Sequence, residues 1–333
     1  MQFIKIHFFI FTVICLQFAD ICAQIQNSII PAMEQIENIE NLSIKKFSQT
    51  QYQEICDTLA QKDQRVRIAT FNMLFPLYDA TLDPINRWPQ RFPRVVEAVM
   101  DMNADIIGTQ ELLQHQVNEL MEKLGETYAF YAKPDDKYEM PGILYRKDRF
   151  EVVDSHVWKM PSTTGDSHEY ILTLLILKDL NTDKIIALFN THLAFSNINA
   201  RDIQARFIAD IVETYSQDYP TILTGDLNTF PHRRDLENLP FYDGDYIVRI
   251  LTKGCLSDAK DVSILGHLGP MSTFTNEGQD PTAFKGIGTP GVFLDHIFVT
   301  NALTVLVHAV QPVQIDGNFP SDHMPIVVDL IVN

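Results

Sequence analysis

A short stretch near residue 226 places two polar side chains where phosphate chemistry could use them. The segment 219–231 reads YPTILTGDLNTFP, and its β-branched and apolar run at 221–224 predicts a buried strand that ends at Gly225. Asp226 and Asn228 follow, and both would point to one face if the chain stayed extended. A charged acceptor beside an amide suits a hard metal ion, a water nucleophile or a phosphate. The competing interpretation is an Asx-turn that caps the strand, and this stretch alone leaves both open.

Polar side chains of similar type stand at or beside the ends of other apolar strands. They are Asn72, Glu111, His192, Asp295, Asp322 and His323. Because strand ends along one rim of a sheet sandwich converge, we expect all of them to share a site with Asp226 and Asn228. Oxygens of Asn, Glu and Asp bind Mg²⁺ or Mn²⁺, and a histidine paired with a carboxylate can move a proton. Each residue alone has an ordinary structural explanation, so the inference rests on the set.

The elements that must position these residues alternate between strand and helix in the first half of the chain. Strands are predicted at 65–72, 105–109, 128–131, 142–146, 150–158, 170–177, 185–191, 221–224, 292–300, 305–313 and 325–332. Helices are predicted at 92–102, 115–124, 200–215 and 246–251, the first of them after an irregular segment at 73–89. The strands at 170–177 and 185–191 form a hairpin, and 266–291 is a long polar loop with a functional role. This alternation is typical of a layered α/β protein.

Composition is that of a globular protein with an acidic surface. Of 333 residues, 46% are hydrophobic and 21% charged, and the formal net charge is -17. An acidic surface repels polyanions, which argues against nonspecific tracking along duplex nucleic acid. A phosphate substrate is still compatible with this charge, because a bound divalent cation inverts the local field.

The first residues have the pattern of a secretory signal. Lys5 precedes an apolar run at 6–18, and Ile21-Cys22-Ala23 offers a cleavage point before Gln24. We therefore predict a signal peptide at 1–23, a partly helical extension at 24–64 and one catalytic domain at 65–333. The protein is expected to be secreted or periplasmic, with no transmembrane anchor after signal removal; an uncleaved anchor is the alternative. Cys56 and Cys255 then remain, either as a disulfide or as buried thiols.

Six motifs occur in an order that is specific to one family. They are TFN at 70–72, TQE at 109–111, NTHL at 190–193, GDLN at 225–228, FLDHIFV at 293–299 and SDHMPI at 321–326. Together they resemble the endonuclease/exonuclease/phosphatase superfamily, the fold of DNase I and exonuclease III, across roughly 65–332. The resemblance implies an α/β four-layer sandwich, in which two packed mixed β-sheets are flanked by helices.

The resemblance also implies a role for each site residue. Asn72, Glu111 and Asp322 would lie on the metal side, with Mg²⁺ as the cofactor and Mn²⁺ as an alternative. His192 would contact phosphate, while Asp226 and Asn228 would orient the nucleophile and the phosphate. Asp295 would orient His323, the general acid or base, with Asp226 as the competing base. His296 departs from the Tyr or Arg that the family often has there, and it should face away from Asp295.

The function implied is that of an exported, Mg²⁺-dependent hydrolase of phosphodiesters, acting as a monomer on nucleic acid rather than phospholipid. A sphingomyelinase or a lipid or inositol phosphate phosphatase would use the same centre with different loops. A secreted binding module is the non-enzymatic alternative. The sequence has neither a basic aromatic stripe nor a strongly apolar loop, so it leaves the substrate open. Trp88 and Arg91 are either substrate-facing or part of a capping loop, and the remaining histidines are expected on the surface or in the core.

Overall fold

The computed structural model describes residues 64–333 except 77–78, 80–81, 135–138, 165–167, 232, 234–236, 239, 241 and 276–291. The expected signal peptide and the extension at 24–64 lie outside the described residues apart from Gln64. Cys56 lies outside them too, so its pairing with Cys255 stays an open prediction. Most of the predicted functional loop at 266–291 is also outside.

Thirteen strands of the described chain form two mixed sheets. They are β1 (Arg65–Asn72), β2 (Ile106–Gln110), β3 (Tyr128–Tyr131), β4 (Gly142–Arg146), β5 (Phe150–Lys159), β6 (Ile171–Asp179), β7 (Ile185–His192), β8 (Thr221–Asp226), β9 (Leu256–Asp258), β10 (His267–Leu268), β11 (Asp295–Thr300), β12 (Leu303–Val310) and β13 (Ile326–Val332). Sheet A has the order β10-β12-β13-β1-β2-β4-β3 and sheet B the order β5-β6-β7-β8-β11-β9. The predicted hairpin is present, since β6 and β7 pair antiparallel.

Five α-helices and a short 3-10 helix at Pro84–Asn86 join these strands in the described residues. The α-helices are α1 (Trp88–Met102), α2 (Gln114–Leu124), α3 (Ile198–Tyr215), α4 (Tyr246–Thr252) and α5 (Ala259–Val262). Within the described part of the chain, no helix combines the length and apolarity needed to cross a bilayer.

Each sheet has a parallel strand pair near its centre. In sheet A, β1 runs parallel to β2 and α1 connects them; in sheet B, β7 runs parallel to β8 and α3 connects them. Parallel strands need such a crossover, and their carboxyl ends necessarily share one edge. The strands β13 and β11 flank these pairs antiparallel, so their amino ends lie at that same edge. The topology thus gathers four strand ends and two strand beginnings at one rim.

The described chain has three apolar layers, one between the two sheets and one between each sheet and its helices. Val95, Ala98 and Val99 of α1 pack on the outer face of sheet A, together with apolar residues of α2. Val66, Ile68 and Leu188 belong to the layer between the sheets. The third layer joins the outer face of sheet B to α3 and α4. This arrangement confirms the predicted four-layer sandwich, in which every central strand is buried on both faces.

The sheets approach each other closely just beneath the rim. A Cβ on Gly108 would lie 2.2 Å from Thr224 Oγ1 and 2.5 Å from Asn190 Oδ1, so only glycine fits there. Gln110 Nε2 donates to Asn190 Oδ1 at 2.7 Å, which links the two sheets by a buried hydrogen bond. The floor of the rim is therefore polar and closely packed.

Two predicted element boundaries are wrong in ways that bear on the site. Helix α1 begins at Trp88, four residues before the predicted start. Pro89 lies in its first turn, where a backbone N–H has no carbonyl partner within the helix, so a proline is tolerated there. Strand β8 does not end at Gly225 but continues through Asp226, which pairs with Asp295 of β11. Trp88 and Arg91 are buried in α1, which favours a packing role over the substrate-facing role that the sequence left open.

Candidate active site

Strand alternation sets the direction of four of the predicted site residues. Asn72 has the same parity as the inter-sheet residues Val66 and Ile68 of β1, and His192 the same parity as Leu188 of β7. Asp226 and Asp295 likewise stand two or four residues from apolar residues of the inter-sheet layer, as the two-residue period requires. All four side chains therefore point into the cleft between the sheets at the rim.

Glu111 reaches the same cleft by breaking the alternation. Gln110 already faces between the sheets, so the next side chain of a continued strand would face the helices. Glu111 instead adopts a left-handed backbone with φ 66°, which is rare for a residue other than Gly, Asn or Asp. Its carboxylate accepts hydrogen bonds from Asn72 Nδ2 at 2.8 Å and from the Phe75 N–H at 2.6 Å. These bonds offset the backbone strain, a feature common at functional sites.

Asp226 is the central group of the cluster. Its Oδ2 accepts a hydrogen bond from Asn72 Nδ2 at 3.0 Å. The same oxygen lies 3.5 Å from His192 Nε2 and 3.6 Å from His323 Nε2. One buried carboxylate oxygen thus faces two imidazole nitrogens, one from each sheet.

Asn228 enters the site through a turn, and not through an extended chain as predicted. Its φ is 50°, and its N–H donates to Asp226 Oδ1 at 2.9 Å, which is the Asx-turn considered as the alternative. The turn nevertheless brings Asn228 Nδ2 within 2.8 Å of His192 Nε2 and 2.9 Å of the Leu193 carbonyl. The two interpretations are therefore compatible, because the turn is what aims the amide at the cleft. The glycine before Asp226 is also required, since a Cβ at Gly225 would lie 2.5 Å from the Thr191 carbonyl.

His323 is held by the Asp295 carboxylate and by a backbone hydrogen bond from the next residue, Met324. Its Nδ1–H donates to Asp295 Oδ2 at 2.7 Å, so Nε2 is the nitrogen turned toward Asp226. Thr273 fixes the partner strand, accepting from the Asp295 N–H at 3.2 Å, while its carbonyl accepts from the Met324 N–H at 2.7 Å. Phe274 packs edge-on against the His323 ring at 5.2 Å between centroids.

Asp322 lies beside His323 on the loop that precedes β13. Ser321 Oγ is 3.2 Å from its Oδ1 and donates to the Asn72 carbonyl at 2.7 Å, which ties this loop to the end of β1. The charge of Asp322 also acts on buried Arg91, whose guanidinium donates to the carbonyls of Met73, Leu74, Asn86 and Pro320. Arg91 therefore braces the two loops that carry Asn72 and Asp322.

Burial and mutual repulsion shift the carboxylates of the site toward protonation. Desolvation raises the pKa of Glu111, of Asp226 and of Asp322, and the neighbouring acid Asp295 raises that of Asp226 further. Burial acts to lower the pKa of His323, but the charges of Asp295 and Asp226 outweigh it and hold that pKa well above the usual value. Perturbed pKa values of this kind cluster at functional sites.

Two overlapping groups of side chains offer ligand atoms close enough together to hold a metal ion. One consists of Glu111, His192 and Asp226, and the other of Asp226, Asp295 and His323. Buried Asp295 Oδ1 has no hydrogen-bond partner among the described residues, which leaves an acceptor available at the second group. The excess of carboxylates fits a hard divalent cation. Asn72 is oriented differently from the predicted ligand role, since its Oδ1 accepts from the Leu74 N–H at 3.0 Å and its Nδ2 faces carboxylates.

Sequence reasoning missed Glu139, a buried residue on the loop before β4. Its Oε2 accepts from His192 Nδ1–H at 2.8 Å and from the Glu111 N–H at 3.1 Å. His168, predicted to lie on the surface or in the core, reaches the same carboxylate at 3.6 Å. Burial acts to raise the pKa of Glu139, but the charges of His192 and His168 and their hydrogen bonds lower it to about 2. The one available signal was an acidic residue just before an apolar strand.

The pKa of His192 responds to the same neighbours. Burial acts to lower it, but the charges of Glu139 and Asp226 outweigh burial and raise it. The Leu193 carbonyl can only accept, so the Asn228 nitrogen must face it, and His192 Nε2 is then an acceptor. A cation at Glu111 would weaken the negative field and favour this neutral form with its proton on Nδ1.

Comparison with known proteins agrees with this geometry. The model of the Endonuclease/Exonuclease/phosphatase family matches residues 69–323. Protein angel of Drosophila melanogaster is 23% identical over 203 residues, which are 57% of this chain and 56% of that protein. The match thus spans about half the length of this curated relative.

Two solved structures show the same fold. A mannosyl-6-phosphatase of Bacteroides thetaiotaomicron superposes with a TM-score of 0.66 at 23% identity, covering 80% of this chain and 99% of that one. TDP2 of D. rerio, solved with a single-strand DNA product, gives a TM-score of 0.58 at 18% identity, with coverage of 80% and 98%.

Proposed function

The chain belongs to the endonuclease/exonuclease/phosphatase family, whose members are phosphoesterases, and we propose that it hydrolyses phosphodiesters with Mg²⁺ after export from the cell. One observation carries this proposal. A histidine at the end of β7 and another on the loop before β13 both face one buried carboxylate oxygen, Asp226 Oδ2, at 3.5 and 3.6 Å. A structural role would not require two imidazoles and further carboxylates to face each other away from bulk solvent.

Glu111 is the residue best placed to hold the cation, and Asp322 lies near enough for its charge to act on Glu111. When bound, a divalent cation supplies charge neutralisation for the phosphate and lowers the pKa of a coordinated water. Asn72 does not present its oxygen, and its amide instead orients the Glu111 and Asp226 carboxylates. Mn²⁺ satisfies the same donor set and is the expected substitute.

The acid–base work falls to Asp226 and His323. Hydrolysis needs one group that takes a proton from water and one that gives a proton to the leaving oxygen. Because the pKa of His323 is raised, its ring is protonated near neutral pH and suits the leaving oxygen. Asp226 Oδ2, facing both imidazoles, is then the base. His192 and Asn228 line the cleft beside this pair, where the phosphate would lie.

Nucleic acid is the first substrate class to test. The support is the likeness in fold to D. rerio TDP2, which was solved with single-strand DNA product. The net charge of -17 disfavours tight binding to long duplexes and favours single strands or short ends.

A small phosphate ester is the second candidate, and two observations favour it. A mannosyl-6-phosphatase shares the fold, and an acidic surface is less of a penalty for a substrate with few charges. Sphingomyelin and phosphoinositides use the same bond chemistry and complete the set of alternatives.

The experiment is a metal-dependent hydrolysis assay with single-strand DNA, RNA, mannose 6-phosphate, sphingomyelin and phosphoinositides. We expect turnover with Mg²⁺, loss with EDTA and recovery on adding Mg²⁺ or Mn²⁺. The double variant Glu111→Ala, His323→Ala should lose all activity. Turnover that survives both EDTA and the double substitution would contradict the mechanism. A wild-type protein that binds Mg²⁺ but turns over no substrate would favour a binding module.

Export and oligomeric state are proposals of the same kind. N-terminal sequencing of protein recovered outside the cytosol should give Gln24 as the first residue. Recovery with Met1 intact would contradict cleavage. Light scattering of the mature protein should give the mass of one chain, and a dimer mass would contradict the monomer.

A further inference from the structure

Two histidines outside the cleft contact each other where β10 pairs with β12. His267 and His308 lie opposite each other in this parallel strand pair, and their Nδ1 atoms are 3.0 Å apart. His267 Nε2 also lies 3.0 Å from the Pro270 carbonyl oxygen. His308 is fully buried, and its Nε2 has no hydrogen-bond partner among the described residues. Neither histidine belongs to the candidate active site.

These contacts determine where the protons of the pair lie. A carbonyl oxygen can only accept, so His267 carries a proton on Nε2, and in its neutral form Nδ1 is an acceptor. His308 then donates through Nδ1–H and has an unprotonated Nε2. The neutral pair thus has two N–H groups, and both have acceptors. A further proton would leave one N–H of the pair without an acceptor, which is costly for a buried group.

The charges around the pair do not favour that further proton. Burial lowers the pKa of His308 from 6.5 to about 3, and the charge of His267 acts in the same direction. Lys260 of α5 and His296 of β11 also lower it, while the Asp258 carboxylate acts against them. Asp258 already accepts from His296 Nδ1–H and from the Lys260 N–H, at 2.9 Å each. Burial also lowers the pKa of His267, on which Lys260 and Asp258 act in the same opposed way.

The histidine pair lies at the start of a segment that reaches the cleft. Residues 267–275, here called the strap, begin in β10 and end beside the loop that carries Asp322. Gly269 allows the strap to follow β12 closely, since its φ is 92° and a Cβ there would lie 2.2 Å from the Val310 carbonyl oxygen. The neutral histidine pair is therefore part of the attachment of the strap to sheet A.

The other end of the strap holds three residues of the site. Thr273 Oγ1 accepts from the Asp295 N–H at 3.2 Å. Thr275 Oγ1 donates to the Asp322 carbonyl at 2.8 Å. The phenylalanine between these threonines packs its ring edge-on against His323, at 5.2 Å between centroids. A displaced strap would thus disturb Asp295, Asp322 and His323 together.

We propose that the His267–His308 pair is a pH-sensitive switch, which attaches the strap to β12 at neutral pH and releases it in acid. Its effect on turnover rests on the proposed function, whereas the release itself does not. Histidines whose pKa is lowered in the attached form take up protons on release. Attachment is therefore fully favoured above about pH 6.5 and weakens as the pH falls toward about 3. Each released histidine weakens it roughly tenfold per pH unit below 6.5.

Amide hydrogen exchange of the full chain tests the release without any substrate. The N–H groups of Thr273 and Thr275 donate to the carbonyls of Val292 and Asp322, so their protection reports on the strap. We expect their protection factors to fall at least about tenfold between about pH 7 and pH 5, while the amides of the central strand β8 keep theirs. An equal loss of protection in β8 would mean global unfolding and would overturn the switch.

The variant His308→Asn removes one titrating ring and keeps a hydrogen-bond donor. Its NH₂ group can donate to His267 Nδ1, and its oxygen can face that nitrogen instead once the ring of His267 is protonated. The protection of the strap should then change less than about threefold over the same pH range. His115→Gln is the matched control, because it removes an exposed histidine of α2. It should keep the full loss of protection seen in the wild type.

Imidazole ¹⁵N spectra of the wild type supply a second measurement, which serves if His308→Asn does not fold. At neutral pH His308 should be neutral with its proton on Nδ1, and His267 neutral with its proton on Nε2. Both rings should become cationic over the pH range in which the strap loses protection. A cationic His308 at neutral pH, or a strap that keeps its protection at about pH 5, would overturn the switch.

Turnover of bis(p-nitrophenyl) phosphate with Mg²⁺ separates the switch from the proposed function. Activity should fall in acid, and it should fall less steeply in His308→Asn because the strap then stays attached. Identical acid profiles in the two proteins would overturn the inference that the strap acts on the site. An inactive wild type whose strap still loses protection in acid would contradict the proposed function and leave the switch in place.

Discussion

Neighbouring residues of β11 form two histidine–aspartate pairs on opposite faces of one strand. Asp295 points between the sheets and accepts from His323 Nδ1–H at 2.7 Å. His296 points to the opposite face and donates through Nδ1 to Asp258 Oδ2 at 2.9 Å. Both pairs are buried and have nearly the same length, yet they differ in what surrounds the second nitrogen.

The imidazole nitrogen that does not face the aspartate, Nε2, distinguishes the pair suited to acid–base chemistry from the pair that stabilises the fold. His323 Nε2 faces Asp226 across 3.6 Å at the open rim. His296 Nε2 has no hydrogen-bond partner among the described residues, and its ring is packed against Phe293 and Phe298. A buried histidine–carboxylate pair is thus catalytic only where its second nitrogen meets a proton donor or acceptor that the reaction uses.

The largest expected effect is on His323. His323→Gln removes the proton donor to the leaving oxygen, and kcat should fall by roughly 10²–10⁴-fold. His296→Gln is the comparison, and its kcat should stay within about threefold of wild type because it has no contact with the cleft. Steady-state kinetics of both variants on one substrate measure the difference. An equal fall in kcat in the two variants would contradict the difference proposed between the two histidine–aspartate pairs.

A smaller effect is expected for Asp295→Asn. The amide still fills the space, but its NH₂ group can face His323 Nδ1 and reverse the tautomer of that ring. We expect kcat to fall roughly 10- to 100-fold, as for other groups that orient a catalytic ligand. Kinetics with thermal melting check this expectation. A variant with wild-type kcat would show that Asp295 does not orient His323.

On the other face, Asp258→Asn should lower stability and leave activity alone. Asp258 also accepts from the Lys260 N–H at 2.9 Å as the N-cap of α5. Losing the charge-assisted bond to His296 should cost about 1.5–3 kcal/mol of the free energy of unfolding. Denaturant titration measures that loss. A fall in kcat without a fall in stability would mean that the two faces of β11 are not independent.

The stability difference should also depend on pH. Burial acts to raise the pKa of Asp258, but the hydrogen bond from His296 and its charge lower it from 3.8 to about 2. A lowered folded-state pKa gives stability that is present above pH 4 and lost as the pH falls through about 2. The difference between wild type and Asp258→Asn should therefore shrink by about 2 kcal/mol across that window. A stability difference that does not change with pH would mean that packing, and not the charge of Asp258, provides the stabilisation.

Much of the site followed from the sequence because polar residues at strand ends meet at one rim of a sandwich. That rule grouped Asn72, His192 and Asp226, and strand alternation put His296 opposite Asp295. The four-layer fold followed from the motif order and from the alternation of strands and helices. These features depend on local pattern and on topology.

The parts that could not be predicted depend on backbone exceptions and on long-range contacts. The left-handed φ of Glu111 and Asn228 has no glycine to signal it, and the prediction missed the four helical residues around Pro89 at the start of α1. Glu139 lies 53 residues before its partner His192 and outside every motif. Only the folded chain brings that carboxylate to the cleft.

The register of sheet B has a consequence for how activity is lost. His192 pairs with Asp226 and Asp226 pairs with Asp295, so three site residues occupy one rung of the ladder formed by β7, β8 and β11. Their backbone amides should be among the slowest to exchange with solvent deuterium, since opening that rung requires the central strands to separate. Denaturant should then abolish turnover and global structure at the same concentration.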